Sequence, residues 1–182
     1  QSPFQDVATN SWYFQAVNYV QEKGIMSGVS QNTFAPDATL TRAMVAQMLY
    51  SLEGKPQAGT PAFTDVDANA WYAKAAAWAN EKGLITGMGN NTFAPDSPLT
   101  REQLALILKN YAQMKGYTTA DQGIDLKDYA DYAGISSWAL DGMDWAVNAG
   151  LISGKGENTL APTDNTTRAE VATIMMQFME KL

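Results

Sequence analysis

The sequence predicts an all-α fold: three helix-loop-helix repeats set with pseudo-threefold symmetry around a central three-helix bundle. Two observations predict it. The same landmarks recur three times at fixed offsets. Each copy also holds two stretches of helical period, the first stopped by a glycine and the second started by a threonine.

Trp12, Trp71 and Trp138 each lie twelve residues before a glycine, namely Gly24, Gly83 and Gly150. Ten residues later stands Phe34, Phe93 or Leu160, followed each time by Ala-Pro. Six residues after Pro36, Pro95 and Pro162 come Arg42, Arg101 and Arg168. The tryptophan period is 59 and then 67 residues. Matching Leu126-Lys127-Asp128-Tyr129 to Phe4-Gln5-Asp6-Val7 and Phe63-Thr64-Asp65-Val66 assigns part of the excess to a four-residue insertion before Trp138. The repeats then occupy 1–55, 62–114 and 122–182, with linkers over 53–62 and about 115–125. A unit this short cannot bury its own apolar faces, so the three are expected to form one cooperative domain.

The first helix of each repeat is predicted over Trp12–Lys23, Trp71–Lys82 and Trp138–Ala149. Its apolar positions, such as Ala16, Val17, Tyr19 and Val20, have helical spacing. The glycine followed by Ile25, Leu84 or Leu151 predicts a left-handed cap with its hydrophobic contact. Lys23 and Lys82 complement the negative end of the helix. The second helix is predicted to start after Thr41, Thr100 and Thr167 as N-caps. Gln103 and Glu170 would complete capping boxes, whereas the first repeat has Met44 at that position. These second helices are apolar on more than one face, which places them at the centre with the tryptophan helices and loops outside.

Composition narrows the chemistry. At 182 residues and 46% hydrophobic, the chain can bury a core, and no run approaches the ~18 apolar residues of a membrane helix. The sequence opens without a charged-then-apolar leader, so an exported form is expected to have lost one. Without cysteine or histidine there is no disulfide, no thiolate chemistry and no imidazole base. A net charge of −7 disfavours nucleic acid and anionic membranes, so an anionic ligand would need local positive groups. No carboxylate pair stands out as a glycosidase dyad, and Asp125, Asp128 and Asp131 lack the pattern of a calcium loop. No catalytic residue, metal site or cofactor is expected.

Arg42, Arg101 and Arg168 follow their N-caps directly, where the helix dipole disfavours a cation. Three placements at an unfavourable position argue for a role. One is an anion clamp assisted by free helix N–H groups; the other is a salt bridge to Asp6 or Asp65. As ligand contacts, replacement of Arg42 or Arg101 by alanine would weaken binding and leave thermal stability nearly unchanged. Trp12, Trp71 and Trp138 either stack a sugar ring or pack a helix start into the core, and Trp78 and Trp145 are expected in the core. Asp6, Asp65 and Asp128 either accept sugar hydroxyls or order a turn. Gly28, Gly87 and Gly154 either admit a ligand close to the backbone or supply a positive φ.

The combination Phe4-x-Asp6-Val7, Trp12, Gly24-Ile25-Met26-Ser27-Gly28, Phe34-x-Pro36 and Thr167-Arg168-Ala169-Glu170 resembles the S-layer homology repeat, in triplicate over nearly the whole chain. That resemblance implies a three-prong spindle. It also implies non-covalent attachment of an extracellular bacterial surface protein to an anionic, often pyruvylated, cell-wall polysaccharide, with no enzymatic activity and a monomeric module. Ligand would lie in grooves between repeats and contact the arginine of the Thr-Arg-Ala-Glu motif. Thr41-Arg42-Ala43-Met44 and Thr100-Arg101-Glu102-Gln103 depart from that motif, and the third repeat has Leu126-Lys127-Asp128-Tyr129 for Phe-x-Asp-Val and Leu160 for Phe. The grooves are therefore expected to differ, and the third repeat's Asp and Trp region, with its insertion, to have lost the ligand. The alternatives are a protein-interaction or self-assembly module, which exposed loops would serve, and a hydrolase, which the missing catalytic groups oppose.

Overall fold

A computed structural model describes residues 3–181. The described residues are helical and contain no strand. They comprise α1 (Phe14–Glu22), α2 (Arg42–Leu52), α3 (Ala73–Glu81), α4 (Arg101–Lys115), α5 (Leu140–Asn148) and α6 (Arg168–Glu180). Short 3₁₀ turns at Leu126–Asp128, Tyr132–Gly134 and Ser137–Ala139 precede α5. All six predicted helices are present. The first helix of each pair is shorter than its pattern, because the tryptophan and the residue after it form a turn ahead of the helix.

The chain forms two compact units whose borders cross the repeats. One comprises the chain up to Pro98 together with Thr167–Thr173, and the other comprises Leu99–Thr166 and the chain from Ile174 onward. In the first, α2 packs on α3, and the alanines of α3 (Ala73, Ala75, Ala76, Ala77 and Ala79) are all buried. Small side chains let two helices approach closely. Tyr50 and Trp78 seal this contact with ring centroids 5.7 Å apart. In the second unit α5 packs on α4, and a Cβ on Gly142 would lie 2.9 Å from the Leu106 Cα. Trp145 is half-buried, its ring 6.2 Å from that of Phe178.

The predicted stops and starts are realised. Gly24, Gly83 and Gly150 have φ of 70°, 69° and 78°, and Ile25, Leu84 and Leu151 donate back to Val20, Ala79 and Ala146 at 2.9 Å. Thr41, Thr100 and Thr167 accept from the amides of Met44, Gln103 and Glu170 at 3.2, 3.3 and 3.1 Å. The linkers are tied down as well. The Tyr50 hydroxyl donates to the Pro56 carbonyl at 2.6 Å, and the Asn148 carboxamide pairs with both backbone groups of Ile124.

One register differs from the predicted alignment. The Asp6 carboxylate accepts from the amides of Phe34 and Ala35 at 2.9 and 2.8 Å, and Asp65 accepts from those of Phe93 and Ala94 at 2.8 Å each. In the third repeat the corresponding bonds to Leu160 and Ala161 go to Asp131, not to Asp128. The counterpart of Phe4-x-Asp6 is therefore Tyr129-x-Asp131, and the insertion before Trp138 is one residue rather than four. Asp128 lies in the preceding 3₁₀ turn. The sequence offered two apolar-x-Asp frames three residues apart, and only the backbone bonds distinguish them.

This carboxylate grip has a purpose. Ala35, Ala94 and Ala161 sit at φ of 57°, 55° and 50°, immediately before proline. A left-handed alanine is strained by ~1–2 kcal/mol, and two charge-assisted bonds offset that. Asp6 and Asp65 thus order a turn 28–29 residues further on, not the one before the tryptophan helix that the sequence suggested.

Gly28, Gly87 and Gly154 do not have the positive φ that a turn would require. Their need for glycine is steric. A Cβ on Gly28 would lie 2.5 Å from a Phe4 ring carbon and 2.6 Å from the Thr33 carbonyl oxygen; on Gly87 it would lie 2.8 Å from Phe63 and from the Thr92 carbonyl. At Gly154 the Thr159 carbonyl is 3.1 Å away.

Candidate functional site

Each arginine begins a helix of one repeat and reaches into the loop of another. Arg42 Nε donates to the Phe93 carbonyl at 2.8 Å and Nη2 to that of Thr86 at 2.6 Å. Arg101 makes the same pair with Leu160 and Ser153 at 2.8 and 2.7 Å. Arg168 makes it with Phe34 and Ser27 at 2.8 and 2.6 Å. Repeat one thus docks in two, two in three, and three in one. The side chains are only 5–6% exposed. Arg42 lies over the Phe93 ring at 5.1 Å and Arg168 over Phe34 at 4.5 Å, contacts that favour a cation on the ring face. The third repeat has Leu160 at the position of these phenylalanines.

The helix N-termini are not open anion sites. Arg42 and Ala43 amides donate to the carbonyls of Ser97 and Pro95 at 3.0 Å each. Arg101 and Glu102 donate to Asp164 and Pro162, and Arg168 and Ala169 to Ala38 and Pro36, all at 2.9 Å. A helix start ringed by carbonyl oxygens tolerates a guanidinium, which resolves the conflict with the dipole. The arginines therefore carry a structural role bonded to carbonyls. These bonds argue against the expectation that alanine would leave stability nearly unchanged, because truncation takes the donor from one buried and one part-buried carbonyl.

Burial pushes the Arg42 and Arg168 guanidinium pKa values down, and the charges of Asp65 and Asp6 oppose this. Both stay cationic at any ordinary pH. For Asp6, desolvation acts upward but is outweighed by the Phe34 and Ala35 amides and by Arg168, which hold the carboxyl below its usual range. Asp65 is held down in the same way by Phe93, Ala94 and Arg42.

Beside Arg168, within the first compact unit, lies a cavity of about 850 Å³. It brings together Gly28, Trp71 and Arg168, one predicted residue from each repeat, along with Met44, Met48 and Lys55. Among the described residues, its lining contains no aspartate or glutamate. Nε and Nη2 of Arg168 are committed to carbonyls, while Nη1 faces the Met44 sulfur at 3.8 Å. A thioether is a weak acceptor, so this nitrogen retains donor capacity. Met44 holds the place that Glu170 and Gln103 hold in the other repeats.

The remaining candidates are distributed elsewhere. Trp12, Trp71 and Trp138 are 52–68% exposed, so they do not pack helix starts into the core, whereas Trp78, midway along α3, is buried. Trp71 lines the cavity with its ring set edge-on to Tyr72 at 5.0 Å. Trp12 and Trp138 lie outside it. Asp65 borders a separate shallow hollow of about 460 Å³ with Tyr72 and Asp96. Asp6, Asp128, Gly87, Gly154, Arg42 and Arg101 do not line the large cavity. Sequence reasoning missed Lys55 and Met44. The first sits in a linker, and the second registers only as a departure from a motif.

A family model described as S-layer homology domain matches residues 3–44, 62–105 and 128–172. An amylopullulanase of Thermoanaerobacterium thermosulfurigenes is 31% identical over 98% of this chain and 10% of its own length. The exoglucanase XynX of Acetivibrio thermocellus is 32% identical over 98% of this chain and 16% of its own. A surface-layer 125 kDa protein of Lysinibacillus sphaericus is 30% identical over 92% of this chain and 14% of its own. The chain thus spans no more than 16% of any of these three relatives.

Proposed function

Because this chain belongs to the S-layer homology domain family, we propose that it attaches a surface protein to the bacterial cell wall by holding an acidic, ketal-pyruvylated saccharide in the cavity beside Arg168. The module is a non-catalytic cell-surface anchor, and the same kind of segment recurs in surface-layer proteins and in large polysaccharide-degrading enzymes.

The observation carrying the ligand assignment is the convergence of Gly28, Trp71 and Arg168 on one acid-free hollow in a chain of net charge −7. Trp71 supplies a flat apolar face with an N–H edge, suited to a sugar ring. Arg168 Nη1 supplies an uncommitted donor for a carboxylate, and its burial strengthens that bond. Loop carbonyls and serine hydroxyls at the rim can read sugar hydroxyls. The cavity lies within the size range of saccharide-scale ligands. The test is co-sedimentation with purified wall polymer before and after mild acid removes the ketal groups. Retention that survives their removal contradicts the assignment.

A further inference from the structure

The large cavity holds a second cation that the family signature does not supply. Lys55 lies on the cavity with Arg168, yet comes from the linker after α2. The thirteenth residue after the motif arginine is Lys55 in the first repeat, Met114 in the second and Lys181 in the third, so the cation at this offset recurs but not in every repeat. Its backbone is left-handed at φ 56°, fixed by the Lys55 amide donating to the Tyr50 carbonyl at 2.9 Å. Gly54 beside it, at φ 80°, makes that turn possible. Lys55 is exposed, and among the described residues no acid lines the cavity. The one position where the other repeats carry Glu170 or Gln103 is here Met44.

A single carboxylate satisfies Arg168. The surplus charge at Lys55 has nothing to answer it within the lining. A cavity of about 850 Å³ also has room for more than one sugar ring. We propose that this cavity selects a saccharide segment bearing two anionic groups, one taken by Arg168 Nη1 and the second by Lys55. Lys55 is then a specificity residue for the ligand, a reading that rests on the saccharide assignment above. The competing explanation, a lysine that merely complements the C-terminal end of α2, predicts an effect on stability and none on ligand choice.

The experiment is titration calorimetry of the intact chain with two purified wall fragments, one bearing a single acidic sugar and one bearing two. Wild type is expected to prefer the doubly acidic fragment. Lys55→Gln is expected to weaken that fragment by roughly three- to fivefold, the range of a solvent-accessible ion pair, and to leave the singly acidic one unchanged. Lys55→Arg should restore the preference, and the salt dependence should be shallower in Lys55→Gln. Equal loss for both fragments, or no loss, overturns the role of Lys55 while the anchoring assignment stands. Failure of wild type to bind either fragment overturns both.

Discussion

Arg168 lies 4.5 Å over the ring of Phe34 while its Nε donates to the carbonyl of that same residue at 2.8 Å. One side chain therefore clamps the loop of the first repeat and borders the cavity that the loop helps to form.

Truncating that clamp costs stability. Arg168→Ala removes the bonds to Phe34 and Ser27 and leaves both carbonyls without their charged donor. The expected loss is ~2–4 kcal/mol, read as a fall in the denaturant midpoint. Arg168→Lys recovers only part of it, because an ammonium lacks the planar fork that spans both acceptors. An unchanged midpoint in Arg168→Ala contradicts the clamp.

Trp71 is the complementary case. Its ring is largely exposed, so Trp71→Ala should alter stability by no more than about 0.5 kcal/mol. Wall-polymer retention should drop sharply, because the apolar face of the cavity is lost. Retention equal to wild type, with the fold intact by circular dichroism, counts against the stacking role.

Glycine at 28 is a steric requirement. Gly28→Ala would force a methyl to within 2.5 Å of Phe4 and of the Ser30 carbonyl, costing about 1–3 kcal/mol. Gly134→Ala, where nothing lies within 4 Å and φ is not positive, is the matched control and should be near neutral. Thermal melting distinguishes them.

Stability should fall in acid through Asp6 and Asp65. Their folded pKa values lie below the ordinary 3.8, so the folded state binds those protons more weakly than the unfolded chain. The stabilisation is complete above pH 3.8 and disappears as pH falls through the lower folded values. Asp6→Asn should be less stable than wild type at neutral pH and show a flatter decline as pH falls below 3.8. Parallel melting curves against pH for the two proteins would contradict this.

The helices were legible in the sequence because their signals are local. Threonine caps, glycine stops and apolar periodicity each act within one turn, and all six helices follow from them. The tryptophans and arginines were legible as landmarks, but their environments were not. Burial of Arg168 depends on residues far away in the chain, such as Phe34 and Ser27. Asp131 was misplaced because Leu126-x-Asp128 and Tyr129-x-Asp131 read alike, and only backbone amides 29–30 residues further on separate them. Lys55 was silent, since a linker lysine looks like any solvated charge.

The measurement that bears most directly on the anchoring assignment is calorimetric titration of the chain with a ketal-pyruvylated wall fragment and its depyruvylated counterpart. Saturable binding of the acidic fragment, abolished by removing the pyruvyl group and weakened in Trp71→Ala, is the predicted result. Equal heats from both fragments would contradict the recognition of an acid at Arg168.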